Sequence, residues 1–152
     1  MAANVGWILA HQPAGTRIVL WAHNGHVSRN PGAMGAYLGR AFPGQMRVFG
    51  FAFDKGSYIA IGARGRTAYP ARPAPDGSFE SAFRALGQER FILDLRPAAT
   101  VPDAAWLNVS HEFRSIGAMA MDPGYDFYPT QLAAIFDAII YFGSTTPSAQ
   151  LR

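Results

Sequence analysis

The sequence predicts an α/β fold, a mostly parallel sheet flanked by helices, in a single domain spanning residues 1–152. Three observations lead there. Strand-like and helix-like segments alternate along the chain. The run Ile18-Val19-Leu20-Trp21 is continuously apolar, as strands buried on both faces are. Nearly half of the residues (49%) are hydrophobic and 13% aromatic, enough for a packed core and too many for disorder.

Residues 3–11 read as a helix with Val5, Ile8 and Leu9 on one face, broken by Pro13-Ala14-Gly15. Residues 17–22 form the apolar strand, and residues 23–32 a loop of Asn, Gly, Ser and Pro. A short helix over residues 34–41 stops at Pro43-Gly44. Residues 47–53 and 57–61 read as two strands joined by a hairpin-like turn at Asp54-Lys55-Gly56. Residues 63–77, with three prolines and three arginines, read as loop. Ser78 is placed to cap a helix through Leu86, which Gly87 closes. A strand over 90–95, a helical turn over 102–107 and a strand over 112–116 follow. After a loop at 122–128, residues 129–136 begin helically and 137–142 form a last strand.

Composition narrows the function. The +3 net charge rests on scattered arginines and one lysine, Lys55, with no basic run, so nucleic acid is not an expected partner. The absence of cysteine excludes disulfides, thiol catalysis and Cys-based zinc sites and fits a cytoplasmic location. No apolar run is long enough for a membrane span: residues 135–142 fall short and contain Asp137. Serine catalysis has no Gly-x-Ser-x-Gly elbow. The segment Gly62-Ala63-Arg64-Gly65-Arg66 matches neither nucleotide fingerprint, though its arginines could meet a phosphate.

The chemistry concentrates in Trp21-Ala22-His23-Asn24-Gly25-His26-Val27. In open α/β sheets ligands sit beyond the carboxyl ends of strands, and here an apolar strand delivers two histidines to its end. Imidazole titrates near neutral pH and serves as general acid, general base or metal ligand. Asn24 could cap the turn or donate to an oxyanion, and either histidine could instead bond only to backbone. His-x-x-His spacing could also hold one cation, but no cysteine exists and no carboxylate follows before Asp54. Asp94 and Arg96 close another strand, where an Asp can orient a histidine and an Arg can bind an oxygen; a purely structural pair is the alternative. His11 at a helix end suits the helix dipole. His111 sits in a turn whose neighbours Glu112 and Arg114 could form an exposed pair.

The run from Arg17 to Val27 resembles a signature of the erythromycin esterase family. The resemblance continues through Met34-Gly35-Ala36-Tyr37-Leu38, Val48-Phe49-Gly50-Phe51-Ala52-Phe53 and Phe91-Ile92-Leu93-Asp94-Leu95-Arg96. It closes with Phe113-Arg114-Ser115-Ile116-Gly117, Phe136-Asp137-Ala138-Ile139-Ile140-Tyr141-Phe142 and Thr145-Thr146-Pro147. It implies a hydrolase in which histidines and a glutamate activate water against an ester such as a macrolide lactone, a route to macrolide resistance. Other relatives are associated with polysaccharide biosynthesis, so the fold alone does not fix the substrate. The family's second histidine motif falls on His23 and His26, with His23 favoured because it leaves the strand directly. Asn24, Asp94, Arg96 and Arg114 are the expected substrate contacts, and no metal or cofactor is expected.

One departure matters. The family's N-terminal half carries a Gly-Glu-x-x-His-Gly-like motif that is absent here: Glu80, Glu89 and Glu112 do not form it. The expectation is therefore an incomplete, C-terminal portion of an esterase-like fold, holding one wall of the site. Such a portion is expected to associate with itself or with a missing N-terminal half. A non-catalytic remnant, or a small-molecule binding module retaining that wall, is the competing reading.

Overall fold

The computed structural model describes residues 1–63, 65–122 and 125–149. Its elements are α1 (Ala2–Ala10), α2 (Asn24–Val27), α3 (Met34–Ala41), β1 (Phe49–Gly62), β2 (Gly65–Ala71), α4 (Phe79–Ala85), β3 (Arg90–Asp94), β4 (His111–Arg114), β5 (Phe127–Thr130), α5 (Leu132–Ile135) and β6 (Ala138–Thr145), with 3₁₀ turns at Arg96–Ala99 and Pro102–Asn108. The chain is mixed α/β. Four strands pair in the order β2-β1-β6-β3, and β4 and β5 form a separate two-stranded ribbon.

The sheet is mixed, which corrects the expectation of a mostly parallel one. Only β1 and β6 run parallel; β1–β2 and β3–β6 are antiparallel. For β1 and β2 the reason is connection length. A parallel pair needs a crossover of a dozen or more residues, whereas β1 and β2 are separated by residues 63–64 alone. Residues 65–71, expected as loop, are thus the return arm of a hairpin.

The expected turn at Asp54-Lys55-Gly56 is the middle of β1 instead. Asp54 is buried and accepts from the Ala74 N–H at 2.9 Å and from Arg84 at 2.5 Å. Gly56, at φ +128°, lies opposite Thr145, where a Cβ would stand 2.1 Å from that carbonyl oxygen. Turn-forming residue types here serve a buried ion pair and a close backbone approach.

Residues 17–22 form no strand. Val19 and Trp21 are 91% and 84% exposed, and the segment touches the sheet through the Trp21 ring, edge-on to Phe51 at 5.4 Å. Phe49 and Phe51 are also exposed. On the side of β1 away from β6, residues 49–53 have no ladder partner among the described residues. The apolar pattern reads as buried, yet nothing among the described residues covers it.

The core lies between the sheet and α4, β4 and α5, around Phe79, Phe83, Leu107, Phe113, Phe136 and Tyr141. Ser78 caps α4 through its hydroxyl, which accepts from the Ser81 N–H at 3.1 Å. Burial of the Tyr141 ring pushes its hydroxyl up to about 12. No helix among the described residues is long and apolar enough to cross a membrane.

Candidate functional site

The histidine segment folds as a single helical turn, and five contacts hold it. His23 is the N-cap of α2: its Nδ1 accepts from the Gly25 N–H at 3.0 Å. Its Nε2 is hydrogen-bonded to the Ile116 carbonyl oxygen. A carbonyl only accepts, so this pattern assigns the neutral Nε2–H tautomer. Asn24 clips the turn to β1, its Nδ2 donating to the Phe51 carbonyl at 2.7 Å and its Oδ1 accepting from the Phe51 N–H at 2.9 Å. Behind the turn, Arg29 donates to Asp137 at 2.6 Å, and the same carboxylate oxygen accepts from the Val48 N–H at 2.6 Å. One carboxylate therefore ties the exit of the turn to the starts of β1 and β6.

The fifth contact is steric. Helix α3 packs Gly35 directly on the turn, where a Cβ would stand 1.8 Å from the Val27 carbonyl oxygen and 2.5 Å from that of Ser28. Gly35→Ala is therefore expected to cost about 1–3 kcal/mol through overpacking. It should also displace both histidine rings, seen as shifts of their imidazole NMR resonances. A variant with wild-type stability and unshifted rings would contradict this packing.

His26 is exposed, its ring 6.4 Å from that of His23 and inclined at 78°. Neither of its nitrogens has a hydrogen-bond partner among the described residues. His23, in contrast, has no lone pair left for a cation. Among the described residues, no group of three or more His, Asp or Glu side chains is placed to hold a metal.

Beside the turn lies a cavity of about 620 Å³, walled by Asn24, Gly25 and Ser28 on one side and by Ser110, Phe113, Tyr128 and Gln131 on the other. Ser28, Arg29 and Asp137 were not singled out as site residues by sequence reasoning. Their only signal is proximity to the His-x-x-His segment and to a strand start.

The remaining expected site residues are not bonded to the turn. Because β3 runs antiparallel to β6, the carboxyl end of β3 lies beside the start of β6, with Asp94 opposite Ala138. There Arg96 holds Asp94 in a two-pronged exposed pair, with bonds of 2.8 and 2.6 Å. That hydrogen bonding holds the Asp94 carboxyl down at about 2 and raises Arg96. Arg114 is buried, 5% exposed, and does not form an exposed pair with Glu112. It is paired with Asp126, donates to the Asp54 and Arg72 carbonyls at 3.0 and 2.6 Å, and lies against the Phe53 and Phe127 rings. No hydrogen bond or ion pair links Asp94, Arg96 or Arg114 to the histidine turn among the described residues. His111 opens β4 with its ring against Phe79 at 5.2 Å, and His11 bonds to the Trp7 carbonyl at 2.8 Å. Arg64, a candidate phosphate contact, lies outside the described residues.

Glu80, buried in α4, accepts from the Arg114 N–H at 2.8 Å through Oε1, while Oε2 has no partner among the described residues. Burial pushes its carboxyl up to about 7 from the ordinary 4.5, against the Arg114 N–H bond and charge and with Asp126 adding to the rise. The folded state thus keeps a proton that the unfolded chain releases. Stability is full below about 4.5 and is lost as pH rises toward about 7. Glu80→Gln is expected to flatten that loss, measured as urea midpoints across the same window. An unchanged slope would rule out Glu80 as its source.

The sequence profile described as erythromycin esterase matches residues 1–145. Among solved structures, a Bacillus cereus protein superposes with a TM-score of 0.84 at 21% identity, over 97% of this chain and 37% of its own. A succinoglycan biosynthesis protein gives 0.82 at 21% identity, over 95% of this chain and 37% of its own. A mutant of the erythromycin esterase EreC in its open conformation gives 0.62 at 20% identity, over 94% and 35%. The chain therefore spans little more than a third of the length of these relatives, and the likeness establishes a shared fold. No curated protein matches the chain.

Proposed function

This chain belongs to the erythromycin esterase family, and from that premise we propose that it supplies the histidine wall of a carboxylic ester hydrolase. The observation that carries the reading is the His23–His26 turn, fixed to β1 and to Ile116 beside a cavity of small-molecule size. In the proposed reaction an imidazole takes a proton from water as its oxygen attacks the ester carbonyl. The tetrahedral intermediate then collapses, the proton passes to the leaving alkoxide, and an acid and an alcohol depart. His26 can accept that proton without rearrangement. His23 can do so only by exchanging its bond with Gly25, and until then its neutral ring fixes the turn. A macrolide lactone is the candidate ester.

Neither ring is bonded to a carboxylate among the described residues. We propose that the orienting carboxylate, and the cover for Val19, Trp21, Phe49 and Phe51, come from residues outside this chain. A base without its orienting partner loses most of its rate, because such groups act as a unit. The test is lactone hydrolysis, read by mass spectrometry as the gain of one water, with this chain joined to the N-terminal region of a relative. Turnover abolished when both histidines are replaced supports the reading. Turnover that survives their joint replacement overturns it.

A further inference from the structure

The cavity beside the histidine turn has one charged residue in its wall. Its volume of about 620 Å³ falls within the range of about 300–1,000 Å³ typical of small-molecule sites. Among the described residues that line it, Arg29 alone is charged, and none is an Asp or Glu. The backbone fixes where that side chain starts: the Arg29 N–H donates to the carbonyl of Ile135, another wall residue, at 3.1 Å. The guanidinium is fixed from behind. Its Nη2 donates to Asp137 Oδ2 at 2.6 Å, and that oxygen also accepts from the Val48 N–H at 2.6 Å. Asp137 does not line the cavity, so the cationic end of the pair is the one that borders it.

That ion pair does not exhaust Arg29. A guanidinium carries five N–H donors in one plane. The Nε and Nη1 of Arg29 make no hydrogen bond among the described residues, and both keep access to solvent on a side chain 29% exposed. Two other paired arginines differ in this respect. Arg96 spends Nε and Nη2 together on Asp94, and the unpartnered Nε of Arg114 is sealed from solvent. A planar fork anchored through one nitrogen, with open donors beside it, matches the oxygens of a carboxylate. The wall holds no carboxylate to repel such a ligand, and Ser110, Ser115 and Gln131 supply further donors. We infer that this cavity is an anion site in which Arg29, held by Asp137, receives the carboxylate of a small organic acid. In the hydrolytic reading above, that carboxylate is the one ester cleavage creates; the product role rests on that reading, and the binding itself does not.

The test is an NMR titration of the ¹⁵N-labelled chain, at near-neutral pH and low salt, with butyrate and with its uncharged counterpart butyramide. Saturable shifts are expected with butyrate at the Arg29 Nε–H and at the Arg29 and Gln131 amides. Butyramide should bind about two- to fivefold more weakly, the scale of one partly exposed charge pair. Two variants separate a ligand contact from a purely structural pair. Arg29→Gln and Asp137→Asn break the same ion pair, so structural damage would move butyrate binding the same way in both. For a ligand contact the signs are opposite. Loss of the guanidinium weakens butyrate about two- to fivefold, whereas loss of the Asp137 charge tightens it by a similar factor. If Arg29→Gln does not fold, the Asp137→Asn result and the comparison of acid with amide still decide. No saturable shift with butyrate, equal binding of acid and amide, or failure of Asp137→Asn to tighten butyrate overturns the inference. Butyrate binding without hydrolysis by the joined protein would defeat the hydrolytic reading and leave the anion site standing; hydrolysis without butyrate binding would do the reverse.

Discussion

Replacement of Arg114 by methionine is expected to destabilise the domain by about 3–5 kcal/mol, the range for removing one partner of a buried ion pair. The guanidinium is paired with the buried Asp126, bonds two carbonyls and lies against two aromatic rings. Methionine keeps much of the stem but leaves the Asp126 carboxylate with no counter-charge, and the Asp54 and Arg72 carbonyls lose donors. The Arg114 backbone N–H still reaches Glu80, so the β4–α4 contact should persist. Urea denaturation measures the loss directly. Adding Asp126→Asn to Arg114→Met should cost less than the two single changes summed, since the second change relieves the charge stranded by the first. A single-variant loss below about 1 kcal/mol, the value for an exposed pair, would refute the buried role.

The second large effect concerns rate. In a molecule with the complete site, His26→Ala is expected to lower ester turnover by about 10²–10⁴-fold, the usual contribution of a positioned acid–base group. The fold should be little disturbed, since the His26 ring is exposed and has no hydrogen-bond partner among the described residues. His23→Ala acts differently, because it removes the cap of α2 and the tether to Ile116. It should lower turnover and also loosen residues 24–27, visible as faster amide exchange there. Wild-type kcat/KM in both variants would remove the turn from the mechanism.

How much of this was legible from residue order depends on how far away the deciding partner lies. Helix α3 falls at the expected residues, because its polar–apolar spacing and the following Pro43-Gly44 are local signals. Ser78 and Gly87 bracket α4 for the same reason. Asp54-Lys55-Gly56 misleads because Arg84 and Thr145, which explain it, lie far along the chain. The apolar residues 17–22 read as a buried strand, yet they form none and leave Val19 and Trp21 exposed, because an apolar run does not specify a pairing partner. At the site, His-x-x-His is a local pattern and was found. Its tethers, Ile116 and Phe51, lie 93 and 27 residues away and leave no spacing to read. Arg114 looked like the partner of its neighbour Glu112, yet its ion-pair partner is Asp126 across β4 and β5.

If this chain holds one wall of an ester-hydrolysing site whose opposite wall lies outside it, the chain alone should be inert. Aryl-ester turnover by the purified 152-residue chain alone tests this most directly. The expected result is no turnover above that of the chain with both His23 and His26 replaced by alanine. Histidine-dependent turnover by the isolated monomer would contradict it.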